Sequence, residues 1–202
     1  MFRKSALLAA VLFVSWASSA AQAVNLVKTI NIRQNTATTW HLAEVEGIQF
    51  VTGVNLASQA NGGVASATGT GAGFGSILGD GNDGNRIGNF GVGSVWHDDG
   101  DNVAGEIYTI TLLNPSNLSA VNVFGRTDCC QTRDDNLTLE LRDAGGVLLH
   151  SVNFGIPNIA DTSSTTAING ITLNLPVVPE PATASLAIMG AFGLIARRRR
   201  LA

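Results

Sequence analysis

Short runs in which apolar and polar residues alternate constrain the fold of this chain most strongly. In residues 107–113 (IYTITLL) the alternation places Tyr108 and every second residue after it on one face. Residues 137–141 (LTLEL) place three leucines on one face, with Thr138 and Glu140 expected to face outward. This two-residue period is typical of half-buried β-strands. Because the middle of the chain lacks a helical period, the sequence predicts an all-β domain.

Other segments extend this β pattern. The acids Glu44 and Glu46 lie in the second predicted strand and are expected to face solvent. The turn Asn114-Pro115-Ser116 is expected to end the strand before it, and Asp143-Ala144-Gly145-Gly146 is expected to connect a hairpin. About seven short strands within about 150 residues predict an antiparallel β-sandwich. The further predicted strands are 25–32, 40–51, 121–124, 147–154 and 168–175.

Residues 57–93 have a different composition. About half of the chain's 23 glycines lie here, among Ser, Asn and Ala. This composition predicts long surface loops with short β pairings. Disorder is the alternative that the composition leaves open. The aromatic residues Trp96 and Tyr108 follow soon after and favour a packed surface beside the loops.

The first residues have the pattern of a secretory signal. Arg3 and Lys4 supply the charged start, residues 6–14 supply an apolar core, and Ala21-Gln22-Ala23 is a small-residue cleavage site. The sequence therefore predicts a signal peptide over residues 1–23 and a mature domain over residues 24–176. Export would bring the cysteines into an oxidising compartment.

The C-terminal residues 177–202 have a second processing pattern. Pro179-Glu180-Pro181 precedes an apolar run over residues 182–196, which ends at four arginines, 197–200. The run is somewhat shorter than the roughly 20 residues of a full membrane span, and its basic end would stay cytoplasmic. This order resembles the PEP-CTERM sorting signal of Gram-negative bacteria. The resemblance implies a hydrophobic sorting helix, transient membrane anchoring, cleavage by an exosortase and release to the cell surface or extracellular matrix. An ordinary C-terminal membrane anchor is the alternative.

The net charge argues against nucleic acid as a partner. The full chain has 12 Lys and Arg against 15 Asp and Glu, a formal charge of −3. Processing would remove Arg3, Lys4 and the four arginines 197–200, which leaves six basic residues and a formal charge of −9 before any acid is lost. A domain this acidic would repel phosphate backbones.

The segment Arg126-Thr127-Asp128-Cys129-Cys130-Gln131-Thr132-Arg133 is the richest in chemistry. Two guanidinium forks suit hydroxyls or carboxylates, although salt bridges to Asp128, Asp134 or Asp135 are the alternative role for both arginines. Adjacent cysteines have Cα atoms about 3.8 Å apart, below the usual disulfide range of roughly 4.4–6.8 Å. A Cys129–Cys130 disulfide would therefore close a strained ring, and free thiols or an intermolecular bridge are the alternatives.

Together with His97 upstream, this segment resembles the sugar-binding motif of the F-type (fucose-binding) lectins. The resemblance implies a jelly-roll, galactose-binding-like β-sandwich over about residues 24–175. It also implies that His97, Arg126 and Arg133 bind the sugar, that Asp128 orients an arginine, and that a Cys129–Cys130 disulfide stacks on the sugar ring. A surface histidine on the acidic loop of Asp98 and Asp99 is the alternative for His97. Supporting segments are 42–45, 55–57, 65–66, 80–82 and 108–111.

The run 80–85 (DGNDGN) resembles a calcium loop. Closely spaced carboxylates, amides and carbonyls suit a hard cation, so Asp80, Asn82 and Asp83 are the predicted ligands of a structural calcium. Lectins of the resembled family add a glutamate late in the domain, and no suitable late glutamate precedes Glu180 here. A plain glycine turn is the alternative.

The sequence contains none of the common motifs of hydrolases, metalloproteases or phosphate-binding enzymes. We therefore expect a protein that is not an enzyme, a lectin-like protein exported by a Gram-negative bacterium. Its expected ligand is a fucose- or galactose-like sugar on surface or matrix glycans. The alternative is a structural protein of the matrix or cell surface that binds no sugar.

Overall fold

The structure, a computed structural model, describes residues 24–68, 72–100 and 102–176. The predicted signal peptide and the predicted sorting segment, with Pro179, Glu180 and Pro181, lie outside these residues. Within the described ranges there is no helix long and apolar enough to cross a membrane. The strands are β1 (Val24–Gln34), β2 (His41–Leu42), β3 (Glu44–Gln49), β4 (Val64–Ala67), β5 (Trp96–His97), β6 (Ile107–Gly125), β7 (Leu137–Arg142), β8 (Leu148–Phe154) and β9 (Asn169–Asn174).

All strand pairings are antiparallel. The larger sheet has the order β3-β6-β1-β7-β8, and β4 and β9 also pair with β6. The first part of β6 pairs with β1 and β4, whereas its second part pairs with β3 and β9. Strands β2 and β5 form a separate two-stranded sheet. The prediction of an all-β, antiparallel domain is confirmed, and the arrangement is consistent with a β-sandwich.

Strand β6 corrects one sequence expectation. The turn residues Asn114-Pro115-Ser116 do not end the strand, which continues to Gly125. Residues 112–115 have no partner in the described ladders, so the missing N–H of Pro115 removes no ladder bond. Lys28 Nζ donates instead to the carbonyl oxygens of Leu112 and Leu113, at 2.6 and 3.1 Å. Two predicted strands are therefore one strand with an unpaired middle.

The alternating positions form the core as predicted. Tyr108, Ile110 and Leu112 are buried, and so are the three leucines of β7. They pack with apolar side chains of β1, β3 and the second half of β6. The largest fully buried side chains are Trp40, Trp96, Tyr108, Ile30, Ile32, Leu42, Ile110, Leu112, Leu118, Leu137, Leu139 and Leu141.

Three acids expected to face solvent are buried instead, namely Glu44, Glu46 and Glu140. Each has found polar partners that compensate for its burial. Glu140 pairs with Arg33 and Arg142 on the surface of β1 and β7. The Glu46 carboxylate accepts hydrogen bonds from Arg86 Nε and Asn122 Nδ2, both at 2.7 Å. Their predicted exposure was wrong because side chains from other segments cover them.

Glu44 is the most deeply buried of these acids, with no exposed surface. Its carboxylate accepts hydrogen bonds from the Gly84 N–H at 3.0 Å and from Asn55 Nδ2 at 3.4 Å. Burial, with a smaller contribution from the nearby Asp83, raises the pKa of Glu44 to about 8. The glycine-rich loop that contains Gly84 therefore packs over the face of β3 that the sequence pattern assigned to solvent.

Candidate functional site

The candidate site is built on the short pairing of β2 with β5, which sets His41 opposite His97. The loop that begins at Gly73 packs on this pair, since the Gly73 N–H donates to the His97 carbonyl at 2.9 Å. A Cβ atom on Gly73 would collide with the carbonyl oxygen of Asp98, so this approach requires glycine. The close approach positions Phe74, whose ring centroid lies 4.5 Å from that of His97.

A cavity of about 320 Å³ opens beside this loop. Three of the predicted sugar-binding residues, His97, Arg126 and Arg133, line it together although they are far apart in sequence. Its other lining residues are Thr39, Phe74 and Phe90. The cavity thus combines cationic and polar groups with two phenyl rings.

Arg126 is fixed by a bidentate ion pair. Its Nε and Nη2 donate to the two carboxylate oxygens of Asp128, at 2.6 and 3.0 Å. The guanidinium also lies over the ring of Phe90, 4.8 Å from its centroid. Burial opposes both charges, but the pair overcomes it: Asp128 raises the pKa of Arg126, and Arg126 lowers the pKa of Asp128. This ion pair is the salt bridge that the alternative role of Arg126 predicts. It is also the contact that an orienting role for Asp128 needs, and that role stays a prediction.

Arg133 differs from Arg126 because no carboxylate of the described residues forms an ion pair with it. It lies in a 3₁₀ turn (Gln131–Asp134) that follows the cysteines. Its backbone carbonyl accepts a hydrogen bond from Gln34 Nε2 at 2.9 Å, which fixes the turn against β1. The alternative of a salt bridge with Asp134 or Asp135 is therefore wrong for Arg133.

His97 is a buried residue, with only 4% of its surface exposed, so the alternative of a surface histidine is wrong. Its Nδ1 lies 2.9 Å from the carbonyl oxygen of Asp98. Because a carbonyl oxygen can only accept, Nδ1 carries a proton and donates it to this oxygen. The rings of Phe74, Phe90 and His41 surround the imidazole at centroid distances of 4.5, 5.7 and 5.1 Å.

A second histidine supports the site from behind. His41 is fully buried, and its Nδ1 lies 3.1 Å from Asp134 Oδ2. Asp134 is buried as well, and its Oδ1 lies 3.4 Å from the His41 backbone N–H. The contacts connect β2 to the turn that contains Arg133. Sequence reasoning missed this pair because its members are 93 residues apart.

The cysteines lie beside the cavity but do not line it. Both Cys129 and Cys130 are free thiols here, so the structure does not contain the predicted disulfide. Cys130 has a left-handed backbone with φ of 62°. Burial and the neighbouring thiol raise the pKa of Cys129 to about 11, which keeps it protonated at neutral pH. The disulfide and its stacking on a sugar stay predictions.

Phe74 and Phe90 supply the apolar surfaces of the cavity, and neither was predicted from the sequence. Phe74 is 69% exposed although it is a large apolar residue. It stands between Gly73 and Gly75 in the loop. An aromatic residue flanked by glycines in a surface loop is the signal that marks such a position, because function is often carried on loops.

Comparisons with protein-family models, with curated proteins and with solved structures find no match for this chain. The resemblance to F-type lectins therefore rests on the motif residues alone. The function of the cavity has to follow from its own chemistry.

The predicted calcium ligands lie in the loop that covers Glu44. Asp80 Oδ2 accepts the Ile77 N–H at 2.8 Å, and Asp83 Oδ1 accepts the Asn85 N–H at 2.8 Å. In the described ranges, no group of three or more His, Cys, Asp or Glu is placed to hold a metal. The buried Oδ1 of Asn82 has no hydrogen-bond partner among the described residues. The structural calcium stays a prediction.

Proposed function

We propose that this chain is an exported carbohydrate-binding protein, similar to the F-type lectins, with a jelly-roll β-sandwich. The cavity lined by His97, Arg126 and Arg133 would bind a fucose- or galactose-like sugar on surface or matrix glycans. The observation that carries the proposal is the combination, in one cavity, of these polar groups with the rings of Phe74 and Phe90.

A sugar ring has two kinds of surface, and the cavity offers a counterpart for each. Guanidinium N–H groups donate to hydroxyl and ring oxygens, and the His97 imidazole forms a hydrogen bond with a hydroxyl. Phenyl rings contact the C–H face of the sugar. The volume of about 320 Å³ lies at the small end of ligand sites and suits one monosaccharide. One small site of this kind binds weakly, so several copies on a surface would be needed for avidity.

The proposal includes the processing that the chain ends predict. A signal peptide over residues 1–23 would direct export, and a sorting segment over residues 177–202 would anchor the chain transiently until an exosortase cleaves it. The mature protein would then reach the cell surface or extracellular matrix. A structural calcium ion bound by Asp80, Asn82 and Asp83 would stabilise the loop over β3.

A glycan array with the purified full chain tests the proposal. We expect binding to glycans that end in fucose- or galactose-like sugars, and we expect Arg126→Ala to abolish it. Arg142→Ala is the matched control, since Arg142 pairs with Glu140 and does not line the cavity. A folded protein that binds no glycan would overturn the lectin proposal and favour the structural alternative.

A further inference from the structure

The candidate cavity contains a positive charge that no carboxylate of the described residues neutralises. The charge belongs to Arg133, whose guanidinium has no hydrogen-bond or ion-pair partner among them. Every other described arginine pairs with an acid. These pairs are Arg33 and Arg142 with Glu140, Arg86 with Glu46, and Arg126 with Asp128.

The acids next to Arg133 in sequence do not pair with it, and each has a different partner. Asp134 is buried against His41, with 3.1 Å between Oδ2 and Nδ1. Asp135 Oδ1 accepts a hydrogen bond from Asn158 Nδ2 at 3.0 Å. No described Asp or Glu lines the cavity. Arg133 therefore presents its planar fork of donors to whatever enters.

From this unpaired guanidinium we infer that the sugar bound in the cavity carries a carboxylate, as a hexuronic acid does, and that Arg133 recognises it. The inference rests on the proposed carbohydrate-binding function and specifies its substrate class. The guanidinium fork matches a carboxylate with two parallel hydrogen bonds, and such charge-assisted bonds are about twice as strong as neutral ones. A neutral sugar would leave the partly enclosed charge without a counter-charge.

The two arginines then have different tasks. Asp128 already neutralises Arg126 and occupies its Nε and Nη2, so Arg126 has only its remaining N–H groups for sugar hydroxyls. Arg133 keeps all five donors for the carboxylate. Phe74 and His97 line the same cavity and would contact the ring of the sugar. The acidic group is recognised at Arg133 and the sugar ring elsewhere.

Calorimetry with the purified full chain tests the inference. The ligand pair is methyl α-galacturonide and methyl α-galactoside, which differ only at C6. We expect the uronide to bind about ten- to a hundredfold more tightly at low ionic strength, the range of one charge-assisted contact. Added salt should reduce this preference because it screens the charge. Galactose 6-sulfate and acetate are the comparison ligands, and both should bind more weakly than the uronide.

Substitutions assign the preference to one residue. Arg133→Gln should remove it, so that the uronide and the galactoside bind with equal affinity, while Arg133→Lys should keep part of it because the charge remains without the fork. Arg142→Gln is the control and should preserve the wild-type ratio. Circular dichroism shows whether each variant is folded, and the salt dependence of the wild type provides a test that needs no variant.

The possible failures are distinguishable. Equal affinity of the wild type for both glycosides, or an unchanged ratio in folded Arg133→Gln, overturns the uronide inference and leaves the lectin proposal standing. Tighter binding of the sulfate overturns the assignment of a carboxylate. Acetate that binds as tightly as the uronide overturns recognition of the sugar ring. A folded protein that binds neither glycoside overturns both proposals.

Discussion

Asp128 and Glu44 are both shielded carboxylates, yet their pKa values move in opposite directions. Asp128 faces Arg126, which lowers its pKa below the usual value despite burial. Glu44 has no ion-pair partner among the described residues, and burial raises its pKa to about 8. The Asp128 carboxylate is thus matched by an arginine beside the candidate cavity, whereas the Glu44 carboxylate has no cationic partner among the described residues beneath the loop of residues 80–85. The two regions therefore differ in how a carboxylate is stabilised: Asp128 is held charged by an ion pair, whereas the charged form of Glu44 is disfavoured by burial.

The largest expected effect is on the free energy of unfolding and follows from replacing Glu44, the acid without an ion-pair partner among the described residues. Because the pKa of Glu44 is raised from 4.5 to about 8, the unfolded chain loses this proton before the folded protein does. The free energy of unfolding should therefore fall as pH rises from about 4.5 to about 8, by up to about 1.4 kcal/mol per pH unit. Glu44→Gln should abolish most of this slope, as urea unfolding at several pH values would show.

Glu140→Gln is a suitable control for that series, since Glu140 is buried but paired with two arginines. It should not reproduce the loss of slope between pH 5 and 8. A wild-type stability that stays constant across this interval would contradict the raised pKa of Glu44.

A calcium ion in the loop of residues 80–85 would supply a positive charge near Glu44 and so reduce the difference between the surroundings of Glu44 and Asp128. If calcium binds at Asp80, Asn82 and Asp83 as proposed, saturating calcium should raise the free energy of unfolding by about 3 kcal/mol at a hundredfold excess over the Kd. A chelator should reverse the effect, and magnesium should produce less of it because it demands stricter geometry. Thermal unfolding that is identical with calcium and with chelator would contradict the calcium proposal.

Breaking the matched pair should have a smaller effect. Asp128 has a lowered pKa, so its ion pair stabilises the protein above the usual aspartate pKa and is lost as pH falls through the lower folded value. Arg126→Met should remove about 1 kcal/mol at neutral pH and nothing once Asp128 is protonated. Unfolding measured at neutral and acidic pH tests this, with Arg133→Met as the control because Arg133 forms no ion pair among the described residues. An equal loss at both pH values would assign the effect to packing.

The smallest effect concerns the aromatic wall of the cavity. Phe74 is 69% exposed, so Phe74→Ala should leave the free energy of unfolding almost unchanged. Sugar affinity should fall about three- to tenfold, the range of one aromatic contact. Val51→Ala, at another exposed apolar residue, should alter neither quantity. Unchanged affinity in Phe74→Ala would remove Phe74 from the binding surface.

Local pattern predicted the core well because alternation is a property of neighbouring residues. It placed Tyr108, Ile110 and the leucines of β7 inside, where they are found. It failed for Glu44 and Glu46, since their burial depends on a loop and on side chains about 40 residues away. The same limit applies to β6. Residues 114–116 predict the end of a strand, but β6 continues past them and Lys28 donates to the carbonyl oxygen of Leu112 in the unpaired segment.

The candidate site was predictable in part. Its polar residues could be named because the motif segment and His97 are chemically distinctive. The absence of an ion pair between Arg133 and the described residues could not be predicted, because it depends on the contact between Asp134 and His41, which lies on a distant strand. Phe74 and Phe90 were missed because loop conformation, which no periodicity encodes, turns their rings toward His97.

Strand β6 has a consequence for how the domain comes apart. It pairs with β1, β3, β4 and β9, so separating any of these strands from the sheet exposes part of β6. Because one continuous strand joins both sets of pairings, we expect neither half of β6 to separate from its partners while the other half stays paired. The domain should therefore unfold in a single cooperative step. Its contacts join residues far apart in sequence, which makes a slow search for the native pairing the expected course of folding.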